Sequence, residues 1–517
     1  MPKRDVLCAI ADFSRQSGLT KHIPCSHKDD PAGMGPASRR TAIDGLEGAE
    51  QMSDIENYDI LIIGSGEAGK YLAWTMAGDS YRTAVVERKL IGGSCPNIAC
   101  LPSKNIIHSA KVRSFTRRAT EFGVEIGSTG TDMKGVQGRK QAMVDGLRQM
   151  HLDRYRASGA ELILGEARFA AERTVDVELA DGGTRRISGD KVFLNLGTHA
   201  TVPDLPGLVA AQPMTHIELL ELERLPAHLV VMGGGYVGLE LAQAMRRFGS
   251  RVTVIEQRQQ LAGDEDPDVS AAVLELFRDE GIAVRLRTNV RAVEGKSGTE
   301  VRVVTEGPDG EDTIEGTDLL VAVGRTPNTD DIGLELAGVD LTERGYIRVD
   351  ERLATTAAGV WAMGECAGSP QFTHAAFDDF RVVYDNLNGG SRTTKDRLVP
   401  YCMFLDPELA RVGRHESEAR RRGVGYRLLT QPMAAVLRTR TLSEPRGFIK
   451  MLIAADNDEI LGFTVFGAEA SELLAAVQTA MIGRTPYTAL RSAIYAHPTM
   501  AEGLTFLLRN TPVVPDR

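Results

Sequence analysis

One β-α-β module is written twice into this chain, and the repeat constrains the fold more than any other feature. Residues 58–63 form a short apolar run leading into Gly64-Ser65-Gly66-Glu67-Ala68-Gly69 and a helical stretch to about Ala77. A second apolar run, 83–86, ends at Glu87. Far downstream, residues 229–232 lead into Gly233-Gly234-Gly235-Tyr236-Val237-Gly238, a helical stretch to about Phe248, and a run, 251–255, ending at Glu256. Glu87 stands 23 residues after Gly64, and Glu256 stands 23 residues after Gly233. A lone G-x-G-x-x-G is a weak signal, because a Gly-rich turn suffices to explain it. Strand, motif, helix, strand and acid in that order are a strong one.

The chemistry of the repeat follows from backbone. Gly64, Gly66, Gly69 and Gly233, Gly235, Gly238 allow a tight turn and a close approach to pyrophosphate, whose charge rests on the amides at a helix N-terminus. Glu87 and Glu256 are placed to accept hydrogen bonds from a ribose. Two copies imply two dinucleotide sites on mostly parallel α/β lobes. A carboxylate at Glu256 favours a free 2′-hydroxyl, which points to NADH over NADPH. Arg258 could hold a 2′-phosphate, but a solvated surface charge is the stronger reading.

A chain of 517 residues exceeds one core and calls for several domains. The net charge of −10 offers no basic footprint for nucleic acid. No apolar run is long enough to span a membrane, and no secretory signal is visible. Six cysteines in this length argue against a stapled extracellular fold, so a cytoplasmic location is expected. Residues 1–54 lack periodicity and read as a disordered extension holding Cys8 and Cys25, with Met52 as a candidate true start. Residues 106–155 read as helical, and 160–196 as short strands around an Asp181-Gly182-Gly183 turn. Cys366 and Cys402 read as isolated buried thiols.

Cys95 and Cys100 lie in Gly93-Ser94-Cys95-Pro96-Asn97-Ile98-Ala99-Cys100-Leu101-Pro102-Ser103-Lys104. Packing, metal binding and redox chemistry compete for the pair. No further Cys/His cluster accompanies it, so no metal site is expected. A short loop entering a helix can bring the sulfurs together, and a helix N-terminus stabilises a thiolate. Near the C-terminus, His497-Pro498-Thr499 is followed by Glu502. Alone, a surface histidine beside a glutamate explains these residues. With a dithiol, the imidazole becomes a candidate base and the carboxylate its orienting partner.

Taken in order, the cysteine motif, Gly233 to Glu240, Gly324-Arg325-Thr326-Pro327-Asn328, Phe404-Leu405-Asp406-Pro407-Glu408-Leu409 and His497 to Glu502 resemble the pyridine nucleotide-disulphide oxidoreductases. The texture is most similar to their mercuric-reductase-like and dihydrolipoamide-dehydrogenase-like FAD members. The resemblance covers about residue 55 to the end. It implies an α/β chain with two Rossmann-like domains and a C-terminal α+β dimerisation domain. The FAD-binding domain would be 55–205 with 325–395, the NAD(P)-binding domain 206–324, and the dimerisation domain 396–517.

The resemblance also implies roles. Gly64, Gly66, Gly69 and Glu87 would hold the ADP half of FAD, and Gly93, Ser94, Lys104, Gly197, Gly324 and Glu365 the rest of the cofactor site. Gly233, Gly235, Gly238 and Glu256 would hold the nicotinamide dinucleotide, with Tyr236 gating its ring. Lys104 would pair with Glu240. Cys100 would face the flavin and Cys95 the acceptor, a small dithiol or disulphide or a soft metal ion. His497 and Glu502 would come from the partner subunit of a homodimer. Ser94, Ala99 and Glu365 depart from the family's usual Thr, Gly and Asp. The C-terminal cysteine pair of mercuric reductases has no counterpart here. A flavin transhydrogenase or NADH oxidase, and a redox-sensing flavoprotein, are the alternative functions.

Overall fold

The structure is a computed structural model that describes residues 55–514. The expectations for residues 1–54, including Met52, Cys8 and Cys25, lie outside the described residues.

The first fingerprint strand, Glu56–Ile63, lies in the middle of a parallel layer. It pairs with Thr83–Glu87 on one side, Ile60 opposite Thr83, and with Thr184–Leu194 on the other, Ile62 opposite Phe193. Such a strand is covered on both faces, which is why it reads as a continuous apolar run rather than an alternating one. Val360–Ala362 extends the layer in parallel beyond Thr184–Leu194. Glu161–Ala171, Thr174–Leu179 and Thr184–Leu194 form an antiparallel meander that closes back onto it. The helices Glu67–Gly78 and Thr373–Leu387 pack over the layer through Leu72, Ala73, Met76, Phe380 and Val383.

The second fingerprint builds the same unit again. Asp318–Val321, His228–Met232, Arg251–Glu256 and Ala283–Leu286 form a four-stranded parallel sheet in that order. A three-stranded antiparallel sheet, Asn289–Lys296, Glu300–Gly307 and Gly310–Gly316, adjoins it. The C-terminal part is a five-stranded antiparallel sheet in the order Tyr401–Met403, Glu408–Gly413, Ile460–Gly467, Phe448–Ala454, Tyr426–Pro432. Its core joins Met451, Phe463 and Val465 to Leu504 and Leu507 of the helix Gly503–Arg509.

The helical region expected over 106–155 is built of two helices. Cys100–Arg117 ends in a short 3-10 turn, Ala119–Phe122, and Met133–Ser158 begins afresh. Gly123 takes a left-handed conformation, φ 69°, that closes the turn, and the Asp132 side chain accepts from Lys134 N–H to cap the new helix.

Lys450, fully buried, ties the second lobe to the C-terminal sheet. Its Nζ donates to Asp266 at 2.8 Å, Asp268 at 2.9 Å and Glu416 at 3.1 Å. Asp266 also accepts from the backbone N–H groups of Glu416 and Ser417. A buried ammonium ringed by carboxylates satisfies the rule that interior charges are paired.

Candidate active site

Two glycines join the first fingerprint to the cysteine loop. A Cβ on Gly93 would come within 2.6 Å of Gly66 Cα, so only glycine permits this backbone contact. Gly93, φ 78°, then caps the one-turn helix Ser94–Asn97 that carries Cys95. The Ser94 carbonyl accepts from Ile98 and Ala99, and the chain re-enters a helix at Cys100. Pro96 sits inside the short helix, where a missing N–H leaves no interior hydrogen bond unmade.

Cys95 and Cys100 are free, half-buried thiols brought together by this turn. The two thiols perturb one another: Cys95 is pushed up by Cys100 and by burial, and Cys100 is held below the ordinary thiol range. Thr373 Oγ1, 3.3 Å from Cys100 Sγ, and the Lys104 charge support the Cys100 thiolate against its burial. Lys104 lies one helical turn on from Cys100, so both face the same side of the helix. Its Nζ donates to Glu240 Oε2 at 2.7 Å, and Glu240 Oε1 accepts from Phe404 N–H at 2.8 Å. Cysteine helix, second fingerprint helix and C-terminal sheet thus meet at one carboxylate.

Both fingerprint acids are buried, and both grip their own loops. Glu87 accepts from Ser65, Lys89 and Leu90 N–H, and Glu256 from Gly234 and Arg258 N–H. Asn195 supports the first turn: its Oδ1 accepts from Gly69 N–H, and its Nδ2 donates to Met363. A Cβ on Gly66 would strike that Oδ1 at 2.6 Å.

The donor set fits two dinucleotides. Around the second fingerprint, a cavity of about 800 Å³ is lined by Gly233, Gly235, Tyr236, Glu256 and Gly324. A Cβ on Gly235 would meet nothing within 4 Å, so the loop opens onto free space that a pyrophosphate would fit. Burial pushes the Tyr236 phenol up to about 12. In the first lobe, Asn97 Oδ1 is buried without a protein partner, on the loop where Asn97 Nδ2 donates to the Gly93 carbonyl. Gly197, φ 68°, faces open space too, with only Asn328 Nδ2 at 3.9 Å.

Three further placements bear on the expectations. Arg325 Nε holds the Glu365 carboxylate at 3.1 Å, and Thr198 Oγ1 donates to it. Cys402 is half-buried rather than buried, and its thiol is pushed up by burial, then by Glu408 and Glu240. Arg258 pairs with Asp264 at 3.0 Å.

His497 accompanies Glu502, Nδ1 to Oε2 at 2.9 Å, and its described contacts are there rather than at the cysteines. The pair follows a solvent-facing stretch in which Ile494 is 100% exposed. Thr373, Asn195 and Arg325 were invisible as site residues in the sequence. Thr373 and Asn195 reach the site across more than a hundred residues and Arg325 reaches Glu365 across 40, and no local pattern marks such contacts.

Two fingerprint lobes meeting at a dithiol define a flavin- and nicotinamide-linked dithiol oxidoreductase. Residues 58–379 match the pyridine nucleotide-disulphide oxidoreductase family, and residues 399–507 match its dimerisation domain. The chain belongs to this family of FAD-dependent oxidoreductases. It is 35% identical to RclA of Escherichia coli over 459 residues, 88% of this chain and 99% of that protein. It is 34% identical to a mercuric reductase of Streptomyces lividans, over 86% of this chain and 94% of the other. Solved structures agree. A Cu(II) complex of the E. coli flavoprotein disulfide reductase RclA superposes with a TM-score of 0.81 over 88% of this chain and 99% of its own. LpdA of Mycobacterium tuberculosis, 25% identical, superposes at 0.79 over 88% and 99%. Among the described residues no helix is long and apolar enough to cross a membrane.

Proposed function

We propose that the protein oxidises NADH and reduces a small disulphide or soft metal ion through Cys95 and Cys100, as a homodimer with shared active sites. One observation carries the reading: Thr373 Oγ1 lies 3.3 Å from Cys100 Sγ, and Lys104, held by Glu240 at 2.7 Å, stands one helical turn beyond Cys100. That asymmetry supports Cys100 as the flavin-side thiol and Cys95 as the acceptor-side one.

FAD, when bound, supplies two-electron transfer between the nicotinamide and the Cys95–Cys100 disulphide. The residues do the rest. Lys104 keeps positive charge beside the Cys100 sulfur. Reduced Cys95, its proton passing to His497 of the partner subunit, attacks one sulfur of the acceptor disulphide, whose S–S bond breaks and releases one thiolate. Cys100 then attacks Cys95, releasing the second thiol and restoring the enzyme disulphide. Each turnover consumes one NADH, one proton and one acceptor disulphide, and yields NAD⁺ and two thiols. His497 of the partner subunit would protonate the leaving thiolate, with Glu502 of the partner subunit orienting the ring. The exposed segment around Ile494 and the match to a dimerisation domain support that sharing. Glu256, with Arg258 occupied by Asp264, supports NADH over NADPH.

The test is a steady-state assay with NADH and NADPH against lipoamide, glutathione disulphide, Hg(II) and Cu(II), the last being the ion in the RclA complex. Cys95→Ser and Cys100→Ser should each abolish disulphide reduction while retaining FAD. Full disulphide turnover in either variant would refute the dithiol role and favour a flavin transhydrogenase or oxidase.

A further inference from the structure

We propose that His216 is a coenzyme-binding residue that hydrogen-bonds the nicotinamide riboside half of the dinucleotide. The inference rests on the reading of the second-fingerprint cavity as the nicotinamide coenzyme site.

The place of His216 follows from the sheet. Met214 pairs in parallel with Leu320, along the strand Asp318–Val321. The other neighbour of that strand is the fingerprint strand His228–Met232, and beyond it lies Arg251–Glu256. His216 stands two residues past Met214, at the carboxyl ends of these strands, where parallel sheets bind ligands. His216 and Glu256 therefore flank the glycine turn from opposite sides, three strand spacings apart, or about 14 Å at ~4.8 Å per strand. With an adenosine ribose at Glu256 and the pyrophosphate at the turn, the nicotinamide half falls on the His216 side. Aromatic rings gather in the same cavity: the Tyr236 and Phe372 centroids are 6.2 Å apart, and Phe372 stacks on Tyr401 at 5.6 Å.

The backbone under His216 is fixed. It opens the short helix His216–Leu220, whose N-cap Thr215 accepts from Ile217 N–H at 3.2 Å. Glu218 Oε2 reaches back to Thr215 N–H at 2.7 Å and completes a capping box. Leu219 and Leu220 are buried in the core that holds Ile106 and Ala110 of the cysteine helix.

The ring lines the coenzyme cavity, yet it is only 7% exposed. Among the described residues neither nitrogen has a hydrogen-bond partner. Nε2 is sealed from solvent, and Nδ1 is not. Nδ1 is thus the atom left for a ligand. Burial, then the Arg325 charge, pushes the imidazole down to about 4, so the ring is neutral. A buried polar group without a partner costs free energy that a ligand can return. A neutral imidazole offers hydrogen bonding without charge. Ribose hydroxyls and a carboxamide, each able to donate and accept, complement it. A pyrophosphate is better served by the amides of the glycine turn.

The experiment uses FAD-loaded enzyme and two probes that leave the flavin oxidised: NAD⁺, which carries the riboside half, and ADP, which lacks it. Isothermal titration should show His216→Leu raising the NAD⁺ Kd about fivefold, the scale of one neutral hydrogen bond, and moving ADP by less than about twofold. His216→Asn, whose amide reaches the place of Nδ1, should recover most of the loss. Melting gives a readout that a structural histidine would not. The coenzyme-free Tm of His216→Leu should match or exceed that of wild type, because an apolar group replaces an unpartnered polar one. The rise in Tm on adding NAD⁺ should shrink. An unchanged NAD⁺ Kd, or ADP weakened as much as NAD⁺, overturns the assignment. A lowered coenzyme-free Tm, or a variant that does not fold, makes His216 structural and overturns it as well. If wild type binds NADP⁺ and not NAD⁺, the NADH preference fails, and the same comparison is read with NADP⁺ against 2′,5′-ADP. If it binds neither, the coenzyme reading fails, and this inference with it.

Discussion

Lys104 Nζ and Glu240 Oε2 are 2.7 Å apart, and this one contact bolts the cysteine helix to the second fingerprint helix. Glu240 is almost wholly buried, while Lys104 keeps 30% of its side chain exposed. The carboxylate also holds Phe404 N–H, so it anchors the C-terminal sheet as well. Removing it strands a lysine and a backbone donor at once. Glu240→Ala should cost about 3 kcal/mol, the low end for breaking a buried pair. Thermal melting followed by flavin fluorescence would show a lowered Tm. An unchanged Tm would mean that the pair does not join the lobes.

The cysteines make a second expectation. Cys95 is the leading cause of the lowered Cys100 thiol, ahead of Thr373 and Lys104. A lowered thiol is anionic from a lower pH upward, and loss of its donors moves that onset to higher pH. In reduced enzyme, the pH midpoint for iodoacetamide labelling of Cys100, followed by mass spectrometry, should rise in Cys95→Ala. It should rise less in Thr373→Val. A midpoint that stays put in Cys95→Ala would remove the basis for ranking the two sulfurs.

The duplicated module was legible because its parts are local: a strand, a glycine turn and an acid fit within about two dozen residues, and each obeys backbone rules. The acids at Glu87 and Glu256 close onto their own turns, as the spacing requires. Contacts between distant segments were not legible in that way. Thr373 meets Cys100 across 273 residues, and nothing near either one signals it. Lys104 and Glu240 were paired only through family resemblance, since no spacing rule links helices 136 residues apart. The contacts of Glu365 with Arg325 and Thr198 were not legible either.

Coenzyme choice can be tested at the second acid. Glu256 both shapes its turn through Gly234 and Arg258 N–H and presents negative charge to the cavity. Arg258 is already balanced by Asp264. Glu256→Ala should therefore shift the NADPH-to-NADH ratio of kcat/KM upward by about tenfold, equivalent to ~1.4 kcal/mol. Arg258→Ala should move it by less than about twofold, as expected for a solvated ion pair. Steady-state kinetics with both coenzymes decide this. A large effect of Arg258 alone would mean that the arginine, not the glutamate, reads the 2′ position.

The last expectation concerns where His497 acts. Its ring leans on Glu502, it is largely exposed, and Ile494 three residues earlier has no cover in the single chain. An imidazole so placed has little to do for its own cysteines but is well presented to another subunit. Mixed dimers test this without perturbing either residue further. A Cys95→Ser subunit keeps its histidine, and a His497→Ala subunit keeps its dithiol. Neither homodimer should turn over disulphide at a useful rate. If His497 works across the interface, the mixed dimer rebuilds one complete site of two. Co-expression with two affinity tags and sequential purification should then give about half the wild-type rate per dimer, by site counting in a C₂ dimer. If His497 serves its own chain, the mixed dimer stays as inactive as its parents.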